Sequence, residues 1–210
     1  MNPLIYGAVL LIAYALGSIP TALLYSRLFH RKDIRALGDG NMGARNTRRQ
    51  FGFNAGVIVA LIDIIKGALA VLLSMALNLP LEWQILTAIA VILGHDFPVF
   101  ASFQGGQGLA VTTGVFLVFF PWPTLLGFVI YAFLFLVFHN SDVAAGFGMG
   151  VLVLQEVLNQ TPLLLVTFSI LALLFIPFKQ WLDKPRRDRI HGVTSIPLSQ
   201  TPEENEKTVN

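Results

Sequence analysis

From residue 67 to residue 178 the chain contains no lysine or arginine. Four acids, Glu82, Asp96, Asp142 and Glu156, interrupt that stretch. A water-facing surface of this length would need cations to keep it solvated, so lipid is the better solvent for it. The charged fraction agrees. It is 12%, against roughly 25% in an ordinary soluble domain.

A helix needs roughly 20 apolar residues to cross the hydrocarbon core of a bilayer. Apolar runs predict spans near 4–25, 55–77, 83–100, 108–120, 123–138, 143–158 and 162–178. The cuts between them fall at turn-forming clusters: 78–80, 105–108, 121–123, 139–142 and 159–162. The first run has no basic segment before it, which favours a span over a cleaved signal peptide. The expected fold is an all-α integral membrane protein of about seven short transmembrane helices. It occupies 1–178, and the polar tail at 179–210 is expected to be largely disordered.

The cations orient this bundle. Seven lie between Arg27 and Arg49, one is Lys66, and six lie between Lys179 and Lys207. Short cytoplasmic loops carry the Lys/Arg excess, which places 26–54 and 179–210 on the cytoplasmic side. The N-terminus is then outside and the C-terminus cytoplasmic. By parity the segments 94–108 and 139–142 also face the cytoplasm, and the brief connections at 78–82, 121–123 and 159–162 face outward. The chain has no cysteine, which removes disulfides and thiolate metal sites.

Three constellations carry chemistry. Residues 33–49 interleave Gly38, Gly40 and Gly43 with Asn41, Asn46 and the arginines Arg35, Arg45, Arg48 and Arg49. Glycines let successive N–H groups aim at an anion, and arginines supply forked donors. An ordinary positive-inside loop would show the same arginine count. Residues 94–108 run Gly-His-Asp-Phe-Pro through Gln104, Gly105, Gly106, Gln107 and Gly108 into an apolar helix. That is a candidate cradle at a helix N-terminus, although glycines also serve close helix packing in membranes. Asp63 and Lys66 share a helix face inside a span, as a functional pair or as a structural brace. His95 and His139 read more simply as packing residues than as bases. No spaced ligand set suggests a metal.

Gly17-Ser18-Ile19-Pro20, the 38–49 loop, Asp63 to Gly67 and Gly94 to Gly108 stand in an order and spacing that resembles the bacterial acyl-phosphate:glycerol-3-phosphate acyltransferases. The resemblance covers about residues 10–115. It implies seven membrane helices with an outside N-terminus, in the bacterial inner membrane, with the site at the cytoplasmic face. The implied substrates are acyl phosphate and glycerol 3-phosphate, joined to give lysophosphatidic acid. No cofactor, metal or nucleic acid is implied, and the bilayer is the surrounding partner. Carried over by motif, Arg49, Asn46, Asn41 and Asp39 are the candidate catalytic residues. Arg45, Lys66, His95, Gln104, Gly105, Gly106, Gln107 and Gly108 are the candidate substrate-binding residues.

Some positions depart from the family pattern. Asp39 stands where the family has serine, and Arg45 where it has threonine, a pair expected to cancel in charge. Gln104 and Gln107 replace two lysines around the glycine pair, and Val111 replaces a threonine. The family's His-and-Asn stretch near the C-terminus has no match; the nearest run is 189–192. Two other classes compete with the enzyme: a relative that binds phosphorylated lipids or partners without turnover, and a small transporter built around Asp63 and Lys66.

Overall fold

A computed structural model describes residues 3–188. Within them lie nine α-helices: α1 Pro3–Gly17, α2 Thr21–His30, α3 Ala44–Phe51, α4 Phe53–Ala76, α5 Leu81–Asp96, α6 Leu109–Phe119, α7 Pro121–Phe138, α8 Ser141–Leu158 and α9 Leu163–Leu182. Short 3-10 turns occur at Ile34–Ala36 and Val99–Ala101. Five segments are long and apolar enough to cross a bilayer: Pro3–His30, Phe53–Ala76, Leu81–Ala101, Pro121–Phe138 and Leu163–Asp188. Two more apolar helices, Leu109–Phe119 and Val143–Leu158, are shorter. With 11 residues, α6 extends only about 16 Å at 1.5 Å per residue.

The outer surface is that of an integral membrane protein. Leu163, Trp122 and Leu4 are 80%, 79% and 77% exposed, which water would penalise and lipid does not. Inside, helices meet at glycines, as expected where close backbone contact drives association. A Cβ on Gly17 would strike the Val91 carbonyl, and one on Gly94 the Tyr14 carbonyl, so α1 and α5 cross backbone to backbone. Gly67 and Gly114 do the same for α4 and α6, against the carbonyls of Val111 and Ile64. The core between these helices holds Ala13, Val71, Val91, Val111, Val115, Phe116 and Phe168. By contrast α7 and α8 pack chiefly on each other, through Gly127 and Gly148.

The structure corrects the sequence reading in three places. The first span, expected as one helix over 4–25, breaks between Gly17 and Thr21. Pro20 has no N–H to continue the ladder. The exposed Ile19 carbonyl accepts instead from Thr21 N–H (3.0 Å) and Lys66 Nζ (3.1 Å). Irregular backbone is tolerated at membrane depth where protein groups satisfy it in this way. Second, the connection expected over 26–54 contains α3, which carries Arg45, Arg48 and Arg49. Third, α9 continues past 178 to Leu182, and residues 184–188 are helical. The part of the expected disordered tail from 189 onward lies outside the described residues.

Candidate active site

Two loops build the site. In the first, Gly38 (φ 57°) and Gly40 (φ 67°) turn the chain in the left-handed region, where glycine carries no Cβ penalty. Fully buried Asn46 fastens this turn, donating from Nδ2 to the carbonyls of Leu37 (3.0 Å) and Asn41 (3.1 Å). Asp39 Oδ1 accepts from the Asn41 N–H at 3.1 Å, and its Oδ2 lies 3.6 Å from Arg49 Nη1. Asp39 thus faces Arg49 across this turn. Asn41 is itself buried, and its Oδ1 has no hydrogen-bond partner among the described residues.

Arg35 leaves the candidate anion set. Its Nε and Nη2 donate to Asp33 at 2.9 and 2.7 Å, and Arg27 adds a bond of 2.8 Å. These guanidinium bonds hold the Asp33 carboxyl well below the usual carboxylate range, and Asp33 in turn raises Arg35. The cluster braces the turn before the site.

The second loop wraps the end of α5. Gly106 N–H donates to the His95 carbonyl at 3.1 Å. A Cβ on Gly106 would land on His95 Nε2, and one on Gly105 on the carbonyls of His95 and Asp96. Gly108 caps α6 at φ 74°. The histidine is buried, with Nδ1 3.6 Å from Asp63 Oδ1. That oxygen also lies 2.8 Å from Lys66 Nζ and accepts from Thr21 Oγ1 at 2.8 Å. Asp63 and Lys66 therefore do pair, and they tie the broken first span to α4. A backbone bond from Met42 N–H to the Gly105 carbonyl (3.4 Å) joins the two loops. The anion-suited segments thus meet.

Between them lies a cavity of about 400 Å³. Its polar end is lined by Asn41, Arg45, Arg48, Arg49, His95, Gln107 and Gly108. Its apolar part runs between α6, α7 and α8 past Phe116, Phe128, Tyr131, Phe135, Met149 and Leu152. Among the sequence-predicted residues, Asn41, Arg45, Arg49, His95, Gln107 and Gly108 form the lining. Asp39, Asn46, Lys66, Gln104, Gly105 and Gly106 are not part of the lining.

Sequence reasoning missed Thr112, Thr113 and Gln180, which also line the cavity, and it read Arg48 in the arginine loop without carrying it among the site residues. The threonines follow Val111 directly, so the lining threonines stand one and two positions after the place where one was expected. The signal for Arg48 was available, since Arg45, Arg48 and Arg49 share a helix face at i, i+3 and i+4. Among the described residues no three His, Cys, Asp or Glu side chains gather as a metal site would require.

The profile of the glycerol-3-phosphate acyltransferase family matches residues 7–187. The chain belongs to that family. Glycerol-3-phosphate acyltransferase 2 of Bacillus anthracis is 48% identical over 122 residues, which cover 58% of this chain and 64% of the relative. The acyltransferase of Listeria monocytogenes serovar 1/2a is 45% identical over 113 residues, covering 53% and 57%. These alignments span less than two thirds of each relative. The crystal structure of PlsY, an integral membrane glycerol 3-phosphate acyltransferase, in its glycerol 3-phosphate form superposes with a TM-score of 0.78 at 27% identity. That match covers 86% of this chain and 90% of PlsY. Its lysophosphatidic acid form gives 0.76 at 26%. Family membership thus extends through α7, α8 and α9.

Proposed function

We propose that this chain transfers a fatty acyl group from acyl phosphate to the 1-hydroxyl of glycerol 3-phosphate, giving lysophosphatidic acid and inorganic phosphate. One observation carries the reading: a single cavity joins an arginine-lined polar end to an apolar corridor between α6, α7 and α8. A phosphorylated headgroup suits the first and an alkyl chain the second.

In this reading Arg45, Arg48 and Arg49 hold phosphate by charge-assisted bonds. The N–H groups around Gly108 and the start of α6 receive the acyl phosphate. The partnerless Asn41 Oδ1 accepts from a glycerol hydroxyl. Asp39 and Asn46 keep the first loop in shape. His95 fills the space beneath Gly106, and Asp63 with Lys66 orients it. The hydroxyl oxygen bonds to the acyl carbon while the bond from that carbon to the phosphate oxygen breaks. Phosphate departs with the electron pair and takes up the hydroxyl proton. Catalysis then comes from positioning and electrostatics. The cations at 27–49 and on α9 favour the cytoplasmic side of a bacterial inner membrane for this site.

Purified protein in lipid, given acyl phosphate and labelled glycerol 3-phosphate, is expected to produce labelled lysophosphatidic acid. Absence of product across donor chain lengths would refute the proposal. Gln104 and Gln107 favour a second reading, in which the site binds its ligands without turnover. Saturable binding of glycerol 3-phosphate with no product would identify that case.

A further inference from the structure

One polar side chain reaches the cavity from α9. Among the described residues Gln180 is the only part of the lining that this helix supplies. Ile176, Lys179, Gln180 and Asp183 stand at i, i+3, i+4 and i+7, the spacing of one helix face. On that face Ile176 and Lys179 are buried and Gln180 is partly buried, so the face turns inward. The end of the helix is fastened on both sides of Gln180. Lys179 Nζ lies 2.6 Å from Asp183 Oδ2 and 4.9 Å from the centroid of the Phe97 ring. The Phe97 carbonyl accepts from Tyr14 Oη at 2.8 Å, so α9 rests on the segment that leads into the glycine loop. Beyond Gln180, Arg187 Nη2 donates to the Gln180 main-chain carbonyl at 2.9 Å. No hydrogen bond engages the Gln180 side-chain amide among the described residues.

That amide differs from most groups at the polar end. Arg45, Arg48, Arg49 and the start of α6 offer donors alone, which suit the two substrate phosphates. A glutamine amide is neutral, and it both donates and accepts. A hydroxyl has the same pairing, whereas a phosphate dianion only accepts. Gln180 also stands in the last turn of α9, where the helix dipole disfavours an anion. Of the two hydroxyls of glycerol 3-phosphate, the 1-hydroxyl loses its proton in the reaction. The 2-hydroxyl is the one that can keep such a bond throughout the transfer. We infer that Gln180 is a specificity-determining residue for the acyl acceptor: its side-chain amide hydrogen-bonds the 2-hydroxyl of glycerol 3-phosphate. The 1-hydroxyl is left to Asn41 and the acyl carbon. The inference rests on the acyltransferase reading above.

The test pairs a side-chain change with a substrate change, on the full chain in lipid. The probe is 3-hydroxypropyl phosphate, which keeps the reactive hydroxyl and the phosphate and lacks the 2-hydroxyl. Wild-type protein is expected to use it with kcat/KM about two- to tenfold below that for glycerol 3-phosphate, the worth of one neutral hydrogen bond. Gln180→Met keeps the length of the side chain and removes the amide. It should lose a similar factor with glycerol 3-phosphate, through KM, and almost nothing with the probe, so the two acceptors become equivalent. KM for acyl phosphate stays near its wild-type value. If Gln180→Met does not fold, Gln180→Ala carries the same comparison. A variant that keeps the wild-type preference between acceptors, a wild-type protein that shows no preference, or a KM rise confined to acyl phosphate would overturn the inference. Wild-type protein that acylates neither acceptor would instead refute the reading on which it rests.

Discussion

The two walls of the cavity touch through one backbone bond, Met42 to Gly105, yet they present an anion with different chemistry. The α3 wall offers three guanidinium groups from a short polar helix. The glycine wall offers backbone N–H groups and the amide of Gln107, with no cation of its own among residues 94–108. The first wall is charged and exposed, so it can bend to its ligand. The second is buried and sterically fixed, since Gly105 and Gly106 have no room for a side chain. One wall is tolerant of shape and sensitive to charge; the other is the reverse.

That contrast orders the expected effects. Gly106→Ala should be the most damaging change, because its Cβ would collide with His95 Nε2. We expect kcat/KM to fall at least about a hundredfold, the scale of a misplaced reactive group. Gly7→Ala, where a Cβ meets nothing within 4 Å, serves as the matched control. Arg48→Gln comes next. Losing one charge-assisted bond removes about 1.5–3 kcal/mol, which corresponds to a KM rise of roughly ten- to a hundredfold. A Gly106→Ala variant with full activity, or an Arg48→Gln variant with unchanged KM for both substrates, would erase the distinction between the walls.

Gln104→Lys with Gln107→Lys sharpens it. Two new cations on the uncharged wall should lower KM for acyl phosphate by a few-fold at low salt and less at high salt. The smallest effect is expected outside both walls, at Asp33→Asn. Its carboxyl is held down by Arg35 in the folded protein. The stability it contributes is therefore present above the ordinary carboxylate range and lost as pH falls toward the depressed value. The variant should melt slightly lower at neutral pH, within the modest range of surface ion pairs. The gap should close in strong acid.

Much of this was legible in the sequence because lipid imposes a length and a polarity on every span. The edges of α4 through α8 fall within a few residues of the apolar runs, and the grouping of both polar loops follows from where the cations lie. What was illegible has local causes. In α3 the run Ala-Arg-Asn-Thr-Arg-Arg-Gln-Phe has no apolar stripe, so it reads as loop, although most of its residues form helix readily. The break at Pro20 depends on Lys66 reaching the Ile19 carbonyl, forty-seven positions away in sequence. The burial of Lys179 depends on Asp183 and on Phe97, just past the end of α5. Contacts between distant segments decide such features, and periodicity does not report them.

The chain lacks cysteine, so a single engineered thiol reports unambiguously on its own position. Exposed Arg49 and Gln104 belong to the two loops that the Met42–Gly105 bond joins. Arg49→Cys and Gln104→Cys, placed separately, can be challenged with a membrane-impermeant maleimide in intact cells and in inverted vesicles. The account predicts that both react only in the inverted vesicles and that substrates slow both reactions. Labelling of the two positions from opposite sides of the membrane would contradict it.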